Sequence, residues 1–260
     1  KFDHSARELQ ALAHGQRFAV TSGARQLAAW SFGSPAAPSV VMSHGWSGRG
    51  AQFRSFVEPL LREGYRVVLF DHPGHGFSEG SSSNLMEFAE ALGAVCAHLL
   101  ETGGRLHGLV GHSFGSPAIG VALKQGRISA ERVVLLAPPA SLLDYSVRFA
   151  RYLGLSERVR LGVERRLERR LGLPLQSLEL PQAVAGIAAP ALVIHDREDA
   201  EVPYHEGEKV ARSWPRAELL TTRGLGHRAR LVVVLAQQHP ALGVGPGIHT
   251  LGDRARPRCA

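Results

Sequence analysis

The sequence predicts an α/β domain: a mostly parallel sheet with helices on both faces and one helical insertion. Three observations carry this. Short apolar runs alternate with amphipathic runs along most of the 260 residues, as the strands and crossover helices of a parallel sheet require. Several of the short runs are nearly continuous in apolar residues, the pattern of strands buried on both faces. One stretch, 141–188, breaks the alternation. It is helical in pattern, arginine-rich and too long for an ordinary connection. The expected organisation is a core of residues 1–140 and 189–238, a helical cap insertion over 141–188, and an irregular or disordered tail over 239–260.

Taken in order, Gln16 to Ser22 and Arg25 to Trp30 read as an antiparallel hairpin around Gly23. Ser39 to Ser43 is a short strand ending at His44-Gly45-Trp46. Phe53, Phe56, Val57, Leu60 and Leu61 follow helical spacing, with Pro59 expected to kink that helix. Arg66 to Phe70 is a buried strand, followed by the loop Asp71-His72-Pro73-Gly74-His75-Gly76. Leu85 to Leu100 is a helix stopped by Gly103-Gly104. Leu106 to Val110 is a strand and Ser116 to Lys124 a helix. Arg132 to Ala137 is a strand stopped by Pro138-Pro139. After the insertion, Ala191 to His195 is a strand, Glu206 to Ser213 a helix and Ala217 to Thr221 a last strand. Leu231 to Gln238 has the pattern of a short helix. Beyond it, four glycines and three prolines fall in 22 residues, without sustained periodicity.

Composition excludes several classes. No apolar run approaches the ~18 residues that span a bilayer, so no stable membrane insertion is expected. The net charge of +7 is carried mostly by arginine. No basic stripe interleaved with aromatics accompanies it, so the expectation is a solvated surface and no nucleic-acid partner. In the densest cluster, Arg165, Arg166, Arg169 and Arg170 are interrupted by Glu164 and Glu168, as on an exposed helix face. There are two cysteines. Cys96 falls on the apolar stripe Phe88, Leu92, Val95, Leu99, and Cys259 is penultimate. This is neither a disulfide framework nor a metal site, and it favours a cytoplasmic setting. Oligomeric state is not legible.

The chemistry centres on Gly111-His112-Ser113-Phe114-Gly115, between a strand and a helix. Small residues flanking a serine at such a turn permit a tight bend that pushes the hydroxyl outward. Gly76-Phe77-Ser78-Glu79-Gly80 has the same spacing, but loop residues lie on both sides, so context selects Ser113 over Ser78. A serine hydroxyl needs a base. His227, in Gly224-Leu225-Gly226-His227 after the last strand, is the choice over His239 and His249. The base needs a carboxylate; Asp199 is chosen over Asp196 in the loop after a late strand. Backbone N–H groups of Phe114 and Trp46 are assigned to a developing oxyanion. His44 is taken as a turn residue. The side chains of Trp46 and Phe114 are left between acyl pocket and core packing.

The order Ser113, Asp199, His227 matches the order found in α/β-hydrolases. With His44-Gly45-Trp46, Asp71 to Ser78, the elbow, Asp199 to Pro203 and Gly226-His227, the sequence resembles the α/β-hydrolase superfamily in its bacterial lipase/esterase-like branch. The resemblance spans about residues 16–235. It implies an eight-stranded sheet, a cap over the active site, and a Ser-His-Asp triad with no cofactor and no metal. The serine at 113 stands where dehalogenases and epoxide hydrolases of this superfamily carry aspartate. After His227 the Gly/Pro-rich tail departs from the amphipathic helix usual in the superfamily.

The expected activity is a serine hydrolase cleaving the carboxylic ester of a small-molecule acyl substrate through an acyl-enzyme on Ser113. A thioesterase, amidase, C–C hydrolase or acyltransferase on the same triad is the alternative, since specificity lives in the pocket. A non-catalytic small-molecule-binding homologue is the alternative of another class.

Overall fold

A computed structural model of the chain describes residues 4–227. The short helix expected at 231–238, the tail expected to be irregular, His239, His249 and Cys259 lie outside the described residues.

Eight strands form one sheet: β1 Gln16–Ser22, β2 Arg25–Phe32, β3 Pro38–Ser43, β4 Arg66–Phe70, β5 Arg105–His112, β6 Arg132–Leu136, β7 Ala191–Asp196 and β8 Ala217–Thr222. Their spatial order is β1-β2-β4-β3-β5-β6-β7-β8. Strand β2 runs antiparallel to both of its neighbours, and every other pairing is parallel. The helices are α1 Ala6–Ala13, α2 Arg54–Arg62, α3 Leu85–Glu101, α4 Gly115–Lys124, α5 Leu142–Tyr152, α6 Glu157–Leu171, α7 Leu180–Val184 and α8 Tyr204–Ser213. The expected strands and core helices all form, with ends moved by a residue or two. Pro59 lies inside α2.

Alternation along the strands divides the core in two. Val41, Val68, Leu109, Leu135 and Val193 face one side, where Phe88 of α3, Ile119 of α4, Leu180 of α7 and Val210 of α8 meet them. Val40, Met42, Val67, Leu69 and Val110 face the other, against Leu12 of α1 and Phe56 of α2. Burial of each such side chain contributes on the order of 1.5–3 kcal/mol. Cys96 is buried in the first cluster, and burial pushes its thiol up to about 12.

Helix α1 was not expected. Its signal is nonetheless present as Ser5-Ala6-Arg7-Glu8, a capping box: Ser5 Oγ accepts from the Glu8 N–H at 3.4 Å, and the Glu8 carboxylate accepts from the Ser5 N–H at 2.9 Å. Arg49 then grips Glu8 with two nitrogens, at 2.8 and 3.1 Å.

Residues 141–188 hold α5, α6, a 3₁₀ turn at Leu175–Leu178, and α7. Helix α7 packs on α4 and α8. The start of α5 is tied to the core by Glu206, whose carboxylate accepts the backbone N–H groups of Ala140 (2.8 Å) and Ser141 (3.3 Å). The carboxyl ends of β3, β5, β6 and β7 share one edge of the sheet, where Ser113 N–H donates to Leu136 O and Ala137 N–H to Ile194 O. Ligands of open α/β sheets bind at such an edge.

Candidate active site

Ser113 sits at the β5–α4 turn with φ of 49°, a left-handed conformation costly for any residue but glycine. The flanking glycines are needed for space. A Cβ at Gly115 would lie 2.1 Å from Ser43 O, and one at Gly111 would lie 2.8 Å from Ile119 Cδ1. The turn after β3 presses equally close: a Cβ at Gly45 would stand 3.0 Å from Ser113 Cβ. The His44-Gly45-Trp46 turn and the Ser113 turn are therefore neighbours. Among the described residues, no acceptor takes the backbone N–H of Trp46 or of Phe114.

Asp199 and His227 meet. The ring Nδ1–H of His227 donates to Asp199 Oδ2 at 2.8 Å. Asp199 Oδ1 accepts from the N–H groups of Glu201 (2.8 Å) and Val202 (2.9 Å). Burial acts to raise the Asp199 carboxyl, but hydrogen bonds from His195, His227 and Val202 outweigh it and hold it well below the usual carboxylate range. The neighbouring Asp196 is otherwise engaged. It accepts from the N–H groups of Glu198 and Leu225 and from the Thr222 hydroxyl, so it shapes the loops on which Asp199 and His227 ride.

The late loop reaches the Ser113 turn through His112. Its Nε2 lies 3.0 Å from His227 O, and the two rings are 5.0 Å apart. Ser113 Oγ and His227 Nε2 share no hydrogen bond among the described residues, and Glu201 Oε2 lies 3.8 Å from that nitrogen. Such contacts are commonly long before substrate binds. His112, Glu201 and His195 are the site neighbours that sequence reasoning missed. His195 Nε2–H donates to Val202 O at 2.9 Å and lies 3.4 Å from Asp199 Oδ2, bracing the acid loop from below. Only its position at the end of β7 could have pointed to it.

His44 is fully buried between two fixed partners. Its Nδ1–H donates to Gly45 O at 2.8 Å, and its Nε2 accepts the His72 N–H at 2.9 Å. Burial and the nearby His75 lower its pKa to about 3, so it is a neutral turn residue, as expected. The Ser78 hydroxyl is buried, donating to Asp71 O at 2.5 Å and accepting the Ala28 N–H at 2.9 Å. It pins the 71–79 loop to β2. The Trp46 ring is half exposed, edge-on to Phe114 at 5.4 Å and stacked on the core residue Phe88 at 6.2 Å. Phe114 is partly buried against the first core cluster.

A family model described as alpha/beta hydrolase fold matches residues 38–185, and one described as TAP-like protein matches residues 174–233. The chain is 27% identical over 231 residues to a pimeloyl-(acyl-carrier protein) methyl ester esterase of Xanthomonas campestris pv. campestris, covering 73% of this chain and 88% of that protein. It is 28% identical over 240 residues to a 2-hydroxy-6-oxononadienedioate/2-hydroxy-6-oxononatrienedioate hydrolase of Dechloromonas aromatica, covering 74% and 81%. Among solved structures, Est1E from Butyrivibrio proteoclasticus with ferulic acid bound aligns with a TM-score of 0.68 at 19% identity, over 82% of this chain and 92% of that one.

Proposed function

The chain belongs to the α/β hydrolase fold family, and from that premise we propose that it cleaves a carboxylic ester through an acyl-enzyme on Ser113. One observation carries the reading. The positive-φ Ser113 turn, the Gly45 turn and the His227–Asp199 pair converge on one edge of the sheet. The methyl ester esterase relative, which spans most of both chains, supports ester cleavage. The dienedioate hydrolase relative spans a similar share, and since its substrate name holds no ester, C–C bond hydrolysis on the same triad is the second reading.

In this reading His227 Nε2 takes the proton of Ser113 Oγ as the oxygen bonds to the acyl carbon. Asp199 holds the other ring nitrogen protonated and stabilises the imidazolium. The carbonyl oxygen becomes an oxyanion received by the N–H groups of Phe114 and Trp46; one such donor is worth about 10²–10³ in rate. His227 returns the proton to the departing alkoxide, leaving the acyl group on Ser113. Water then gives a proton to His227 and attacks the acyl carbon. Ser113 leaves with that proton, and the carboxylic acid is released. No cofactor enters these steps. Helices α5 and α6 would act as the cap, with α7 seating the segment on the core.

The test is turnover of p-nitrophenyl butyrate and labelling by a fluorophosphonate. Ser113→Ala is expected to abolish both. Equal turnover by the variant and the parent chain would remove Ser113 from the mechanism.

A further inference from the structure

The segment between β6 and β7 carries a surface that hydrolytic chemistry does not use. Ten large hydrophobic side chains are exposed among the described residues, and five of them, Leu153, Leu155, Val159, Leu161 and Val163, fall at the α5–α6 turn and the first half of α6. Val159 and Val163, one helical turn apart, share a flank of α6, with Leu153 and Leu155 on the turn before it, and Leu161 lies on the opposite flank. Exposed apolar side chains clustered on one flank mark an interaction site.

The charges beside them are sorted by sign, which the sequence pattern hides. Glu164 is buried, accepting from the Ser146 hydroxyl and from Arg160. Glu168 accepts the Leu175 N–H at 3.0 Å. Glu164 is thus consumed inside the fold and Glu168 is half-buried, while Arg165, Arg166, Arg169 and Arg170 are all exposed, Arg170 lying 4.0 Å from Glu87. Arg160, Glu164, Leu167 and Leu171, at helical spacing, form the inward face of α6. What remains outward is a basic helix studded with aliphatic groups.

We propose that the exposed face of the α5–α6 hairpin docks on an anionic lipid bilayer. The aliphatic side chains enter the boundary between headgroups and acyl chains, and the arginines meet lipid phosphates. Nucleic acid fits less well, because Leu and Val side chains gain nothing from a phosphate backbone. The chain's net charge of +7 adds long-range attraction. Arg148 of α5 pairs with Glu206 at the start of α8, so docking would hold the sheet edge bearing Ser113 close to the surface. Only that last consequence rests on the hydrolase reading; the docking surface itself does not.

The experiment is co-sedimentation of the full chain with vesicles of phosphatidylglycerol and phosphatidylcholine in equal parts, against vesicles of phosphatidylcholine alone. The expected result is binding to the first, far weaker binding to the second, and partial release by salt. Arg165→Gln with Arg169→Gln should weaken binding about fivefold for each charge removed. Val159→Asp with Val163→Asp should abolish it while leaving the far-UV circular dichroism spectrum unchanged. Four outcomes overturn the proposal: no binding to phosphatidylglycerol vesicles, equal binding to both vesicles, wild-type binding by the valine variant, or a dimer in solution that the valine variant dissociates. Absence of turnover in a parent chain that still binds vesicles would sink the esterase reading and leave this one standing.

Discussion

Replacing Asp199 with Asn exchanges an acceptor for a donor at the point where His227 docks. Asp199 Oδ1 accepts two backbone N–H groups, from Glu201 and Val202, and the Asn oxygen must stay there. Its NH₂ then faces His227 Nδ1, 2.8 Å away in the parent chain. Two donors cannot share that contact, so the ring proton moves to Nε2, the nitrogen required as base. The equivalent exchange in a serine protease triad lowers kcat about 10⁴-fold, or about 5 kcal/mol of transition-state stabilisation. The exchange also weakens the His195 contact, 3.4 Å from Asp199 Oδ2, that helps keep the carboxyl charged, so the fold should lose about 1–3 kcal/mol, which thermal unfolding separates from the loss of kcat. Asp196→Asn is the control. It places a donor against the Leu225 N–H or the Glu198 N–H, which loosens the His227 loop by about 1–3 kcal/mol and lowers kcat/KM at most ~100-fold. The assay is p-nitrophenyl butyrate kinetics alongside thermal unfolding by circular dichroism. A larger loss in Asp196→Asn, or an Asp199→Asn kcat within tenfold of the parent, refutes the assignment.

Further outcomes follow from the same contacts. Gly115→Ala drives a Cβ to 2.1 Å from the Ser43 backbone oxygen; it should cost about 3 kcal/mol and abolish fluorophosphonate labelling, while Gly111→Ala, which meets the end of the Ile119 side chain, should be milder. Ser78→Ala should lose about 1–3 kcal/mol by leaving the Ala28 N–H unpaired, with labelling retained; loss of labelling in a folded variant would reinstate Ser78 as a nucleophile. Unfolded His44 takes a proton below its ordinary value of 6.5, whereas folded His44 refuses it down to about 3. The unfolded state therefore binds more protons, and stability is complete above 6.5 and lost as pH falls toward about 3. Urea unfolding should show a loss of about 1.4 kcal/mol per pH unit from His44, with His72, also held well below its ordinary value by burial, adding in the same direction; flat stability from neutral pH to pH ~5 would contradict this.

The sheet was legible because its signal is local. Apolar runs such as Arg66 to Phe70 must be buried on both faces wherever they are placed, and their alternation with amphipathic runs leaves few topologies. Helix α1 was equally local in its capping box yet went unread, since its apolar face contributes only Leu12 to the buried core. Of the candidate site, the strand-ending turns could be ranked by position. His112 could not, because its contact with His227 joins the end of β5 to the loop after β8. His195 and Glu201 lie four and two residues from Asp199, but only the fold of the loop after β7 turns them toward Asp199 and His227.

By itself, then, the amino-acid order determined the alternating core, the serine turn and the order of Ser113, Asp199 and His227, all consequences of periodicity and turn chemistry along the chain. Tertiary structure decided what required neighbours in space. It paired His227 with Asp199 and left Asp196 to the loops. It buried Ser78 as a strut. It turned a mixed-sign run into a basic face by burying Glu164 and tying Glu168 to the Leu175 N–H. The physical reason is the same in each case: a hydrogen bond or a buried charge is settled by which groups compete for it, and those competitors are distant in sequence.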